Sequence, residues 1–181
     1  MLLLMRNKIK HTIEKGNGDE IDIVLTEYAR KHLDHARSLE KEFSALHKLP
    51  IGVQYHYSTG ILKYEVDNGG FTQFLFNSSK VFLFTATNAY HEINAIKHYD
   101  LLMSIIKHLY TRFNLPPNEN GFELLKRIQT YKIEVNSDWD EFKSFLRVEQ
   151  FDNAFYTLED SEGPIWDMLL DYIKTNIDKF L

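Results

Sequence analysis

Two long stretches of the chain, 21–49 and 85–113, contain neither glycine nor proline. In the first, Leu25, Tyr28, His32, Ala36, Leu39, Phe43 and Leu46 recur at alternating spacings of three and four, which places them on one face of a helix. The pattern predicts one long amphipathic helix. Pro50 stops it, because the residue before a proline is driven out of the helical region. In the second stretch Ala89, Ile93, Ile96, Leu101, Ile105 and Leu109 fit one long helix or two joined near Ala95, ended by Pro116-Pro117.

The remaining elements follow from breakers and caps. Lys15-Gly16-Asn17-Gly18-Asp19 closes any N-terminal element. Residues 53–67, rich in Tyr and Val, read locally as either strand or helix. Asn118 or Asn120 can cap a helix from Gly121 to Tyr131, and Ser137 or Asp138 a short one to Leu146. Gly163-Pro164 opens the last helix, whose apolar face is Trp166, Leu169, Leu170, Ile173 and Ile177. Strand alternation is scarcely present, and there are no repeats and no linker. The expectation is a single all-α, multi-helix domain over 1–181.

Composition narrows the chemistry. The chain has 181 residues, 44% hydrophobic and 26% charged, with a net charge of −5. This is the balance of a globular protein rather than a disordered one. Zero cysteine excludes disulfides, thiolate metal sites and a cysteine nucleophile. The apolar start Met1-Leu2-Leu3-Leu4-Met5 precedes its charges, Arg6, Lys8 and Lys10, and is too short for a signal peptide. No run is long enough to cross a membrane, so a cytoplasmic location is expected.

No catalytic constellation emerges. His32 and His35 stand three apart; His91, His98 and His108 fall in the second stretch, where His91 and His98 share a face. None of these sets supplies the three or four convergent ligands that zinc takes, so they read as ordinary helix histidines. Gly69-Gly70 is followed by Phe71-Thr72-Gln73 and not by the Gly-Lys-Ser/Thr of a phosphate loop. No serine sits in a Gly-x-Ser-x-Gly elbow. Neither a metal nor a cofactor is expected, and the protein is expected not to be an enzyme.

One stretch stands out: Glu65-Val66-Asp67-Asn68-Gly69-Gly70-Phe71-Thr72-Gln73-Phe74-Leu75-Phe76-Asn77. It reads as helix, stop, helix. Asn68 or Gly69 can take the left-handed conformation that closes a helix. Phe71 then packs back while Phe74 enters the core. Gln73 and Asn77, four apart, can bond backbone groups freed at the break. The corner is either a structural bracket or the base of a recognition surface.

The motif formed by Glu65, Asn68, Gly69, Gly70, Phe71, Gln73, Phe74 and Asn77 resembles the DNA mimic protein 19 family of bacterial all-helical proteins. The resemblance is strongest over 45–181. Phe151-Asp152-x-x-Phe155-Tyr156 and Leu169-Leu170-x-Tyr172-Ile173-x-x-Asn176 look like that family's closing helices. It implies a protein that presents carboxylates as DNA presents phosphates, occupies a DNA-binding protein such as a transcription factor, and can form a homodimer. Direct contact with nucleic acid or membrane is not implied.

The charge distribution bears on this. Residues 1–116 carry 12 acids and 14 bases, and 117–181 carry 14 acids and 7 bases. Within 134–171, 11 acids meet only Lys143 and Arg147. DNA carries one charge per about 1.7 Å of axis, so a mimic needs dense carboxylates. Glu134, Asp138, Asp140, Glu141, Glu149, Asp152, Glu159, Asp160 and Glu162 are the candidates. The alternatives are an immunity- or antitoxin-like binding protein with an unrelated partner, or an enzyme whose site the residues do not reveal.

Overall fold

The computed structural model describes residues 2–33, 38–117 and 119–181, leaving aside the side chains of 2–4 and of Glu162. Every regular element among the described residues is helical. In order these are α1 Leu2–Lys15, α2 Gly18–Leu33, α3 Leu39–Leu46, α4 Ile51–Phe76, α5 Leu83–Glu92, α6 Ile96–Arg112, α7 Gly121–Glu134, α8 Trp139–Leu146, α9 Asp152–Glu162 and α10 Ile165–Thr175. Short 3-10 turns cover Ser78–Phe82, Glu149–Phe151 and Ile177–Phe180. The fold is all-α, and no described helix is long and apolar enough to cross a membrane.

The helix α4 is the axis of the molecule, in contact with α2, α5, α7, α8 and α9. Its strand-like composition reflects that position. Val53, Leu62, Val66, Phe71, Phe74 and Leu75 are all fully buried, and a helix surrounded by others is apolar around its whole circumference. The core continues without interruption from Ile9 of α1 to Phe180.

The single helix expected over 21–49 is two. The first, α2, ends at Leu33, and α3 starts after Ser38, an extended residue whose Oγ accepts from the Lys41 N–H at 3.4 Å. Charge agrees with the break. Arg30, Lys31 and His32 sit in the last turn of α2, and Glu40 and Glu42 in the first turn of α3, each facing the helix-dipole end of opposite sign. At the end of α2 Leu33 is buried and His32 exposed; the expectations at His35 and Ala36 lie outside the described residues. The stretch ends before Pro50, with α3 closing at Leu46, and Pro50 is also the N-cap residue of α4. At the other end of α2, Asn17 and Glu20 bond each other's backbone N–H groups, a reciprocal capping box.

The stretch 85–113 divides near Ala95, as one of its two readings had it. Asn94 is left-handed at φ 62°, with Asn94 N–H on the His91 carbonyl and Ala95 N–H on that of Tyr90. This is a Schellman ending with asparagine in place of glycine. Asn114 closes α6 and Asn136 closes α7 in the same way. Asn120 caps α7 through Phe122 N–H, and Asp138 caps α8 through Glu141 N–H. Asn118 lies outside the described residues. Pro164 stands just before α10, which buries Ile165, Leu169, Tyr172 and Ile173 and packs Trp166 and Leu170 partly against the core; Ile177 falls in the turn beyond it.

Candidate functional site

Towards its C-terminal end α4 kinks. Gly69 is extended at φ −169°, and Gly70 takes φ 72°, ψ −177°. The left-handed residue is therefore Gly70, not Asn68 or Gly69. That combination of angles is open almost only to glycine, whereas asparagine tolerates the helical left-handed well. A Cβ on Gly70 would also run into the Asp152 carboxylate. Asn68 stays helical and exposed, its Nδ2 donating to the Tyr64 carbonyl at 2.6 Å.

A break in a helix frees an N–H on one side and a carbonyl on the other. Both are met by α9. Asp152 Oδ1 accepts from the Phe71 N–H at 2.9 Å, and the Tyr156 hydroxyl donates to the Val66 carbonyl at 2.7 Å. Phe155, between them, meets Phe71 edge to face with centroids 5.6 Å apart. Phe71 and Phe74 are both fully buried.

Gln73 and Asn77 do not bond the freed backbone. Their amides donate to Oε2 of Glu65, each at 2.9 Å, while Ser79 donates to Oε1 at 2.6 Å. Glu65 is buried, and among the described residues its carboxylate is met by three neutral donors and by no cation. Glu65, Gln73 and Asn77 thus converge, and Ser79 joins them. The spacing reading missed Ser79, because it lies in the turn beyond the helix.

Two lysines close α4. Lys80 donates to the Asn77 carbonyl at 2.6 Å. Lys132 donates to that of Phe76 at 2.8 Å, and its ammonium lies 3.9 Å from the Phe76 ring centroid. Cations at the C-terminal end of a helix complement its dipole.

The acids separate into two groups. Glu134, Asp138, Asp140, Glu141, Glu149 and Asp160 are exposed and form no ion pair among the described residues. Asp152 and Glu159 turn inward. Burial raises the Asp152 carboxyl above its usual range, against the pull of the Phe71 N–H. Burial also opposes ionisation of Glu159. Facing His98 and pairing with Lys63 at 2.9 Å, Glu159 is nevertheless held below the usual carboxylate range. His98 Nε2 is 3.5 Å away, too long for a good hydrogen bond. The Glu162 side chain lies outside the described residues.

Three of the histidines that the spacing singled out have separate partners. His32 Nδ1 bonds the Tyr28 carbonyl at 2.8 Å, His108 Nε2 the Leu146 carbonyl at 2.7 Å, and the His91 ring meets Tyr99. Among the described residues no group of three or more His, Asp or Glu could hold a metal ion.

Comparison with known proteins returns one finding. The family model described as DMP19-like protein matches residues 47–176, and no curated protein or solved structure matches the chain. The matched span contains the kinked α4, the Glu65 node and the α9 bracket. The chain belongs to the DMP19-like protein family.

Proposed function

We propose that this protein acts without catalysis, by presenting the carboxylates of α8 and its flanks to a basic, DNA-binding protein and occupying its DNA site. The observation that carries the reading is the set of six exposed, unpaired acids between Glu134 and Asp160, with Lys143 and Arg147 as the only bases in that segment. Membership of the DMP19-like family supports it.

Two exposed apolar side chains, Ile133 and Trp139, lie in sequence among these acids. A protein partner would bury such groups as anchors. The surface therefore suits a protein with a basic patch better than a small cation.

The test is competition. A partner captured from the host should be released by double-stranded DNA and by rising salt, because DNA and this protein would hold one site and salt screens the attraction. A partner that holds DNA and this protein together would overturn the mimic reading.

A further inference from the structure

The turn Ser78–Phe82, α3 and α7 line a partly open cavity of about 700 Å³. Small-molecule sites occupy about 300–1,000 Å³. Lys80 lines it, and its side chain is only 1% exposed. An ammonium carries three N–H donors, yet the only protein acceptor of Lys80 among the described residues is the Asn77 carbonyl. Burial, helped by the charge of Lys132, pushes its pKa down to about 8.

Glu42 of α3 lines the same cavity, and its carboxylate has neither hydrogen bond nor ion pair among the described residues. Burial raises its pKa, while the Lys80 charge pulls the other way. The two opposite charges thus sense each other across the cavity but stand beyond the 4.0 Å of an ion pair. Ser78, Gln129 and Thr130 add uncharged polar groups to the wall, and Glu40 and Lys126 add a second carboxylate and a second ammonium.

We propose that this cavity binds a small zwitterion of the α-amino acid class, its carboxylate on Lys80 and its ammonium on Glu42. Taking a charge out of water without an opposite charge beside it is costly. A simple anion would suit Lys80 and Lys126 but add negative charge beside Glu42 and Glu40. A simple cation would do the reverse. A ligand carrying both charges matches a wall of two ammonium groups and two carboxylates and serves Lys80 and Glu42 together. The motif has a part in this that the acidic surface does not give it. Glu65 holds Ser79 and the Asn77 amide, which fixes the turn that carries Lys80 into the cavity wall. The inference is independent of the proposed function, since its residues belong to α3, α7 and this turn.

The experiment is calorimetric and thermal-shift titration of the full chain with a panel of L-α-amino acids, with acetate and methylammonium as single-charge controls. At least one amino acid should bind and raise the melting temperature, and neither control should. Lys80→Met and Glu42→Gln should each weaken binding about tenfold or more, the effect of losing a charge-assisted hydrogen bond. If Lys80→Met does not fold, Glu42→Gln carries the test alone. Absence of binding across the panel overturns the proposal, and so does acetate binding as well as an amino acid. A Lys80 titration that Glu42→Gln shifts strongly, with no effect of any amino acid, means that the two ions pair directly, and overturns it too.

Discussion

Gly69 and Gly70 are neighbours with different demands. Gly70 holds a positive φ and faces the Asp152 carboxylate, whereas an added Cβ at Gly69 would meet only the flexible Gln73 side chain. Gly70→Ala should destabilise by about 1–3 kcal/mol and Gly69→Ala by distinctly less, as chemical denaturation would show. Equal losses would mean that the kink is not fixed at Gly70. Asp152 invites a second comparison. Its raised pKa means that the ionised form is disfavoured in the folded state, so its contribution to stability is greatest at low pH and declines as pH rises through the folded pKa. Asp152→Asn keeps an oxygen acceptor for the Phe71 N–H without the buried charge and should be near neutral at pH 7. Asp152→Ala should cost about 1 kcal/mol, as a lost helix cap does. Lys80 titrates with the opposite sign. With its pKa lowered from 10.5 to about 8, the unfolded chain binds more protons between those values, so stability should rise with pH across that window. Lys80→Met should remove that rise.

At the scale of elements, sequence periodicity located the helices better than it located their ends. Capping asparagines and aspartates were legible because a short polar side chain before an apolar-periodic run has one mechanical use. The left-handed asparagines were not, since Asn94, Asn114 and Asn136 look like any polar residue inside or after a helix. Their role depends on a backbone angle. The α2–α3 break was hidden because Leu25, Tyr28, Leu39, Phe43 and Leu46 keep the stripe of one helix although two helices carry them. Only the change from Arg30-Lys31-His32 to Ser38-Leu39-Glu40 marked it. The motif was legible as a corner, but its partners were not. Asp152 and Tyr156 lie 81 and 90 residues from the backbone groups they meet, a separation no local pattern spans. Since Asn94 pays some steric cost that glycine avoids, Asn94→Gly should leave stability unchanged or slightly raise it. Asn94→Val, forced left-handed, should lose about 1–2 kcal/mol in thermal or urea unfolding.

For the whole molecule, the uneven charge of the chain has two separate physical uses, and they can be told apart. Asp152 and Glu159 hold α9 to α4, through the Phe71 N–H and through Lys63. Glu134, Asp140, Glu141, Glu149 and Asp160 make no such contact and stand in solvent. Asp138 belongs partly to each group, because it also caps α8. A carboxylate in solvent contributes little to folding, since exposed charges change stability by only about half a kcal/mol. It acts instead through the field it projects, which attracts a basic partner and is screened within about 8 Å at physiological salt. Replacing Asp140, Glu141 and Glu149 together by their amides should therefore leave the unfolding midpoint nearly unchanged. The same change should weaken the complex with a basic partner and flatten its dependence on salt. Glu159→Gln should do the opposite, lowering stability by loosening α9 from Lys63 while leaving the salt dependence as it was. If the two sets of variants behave alike, the acids are not divided between folding and recognition, and the mimic surface has no separate existence.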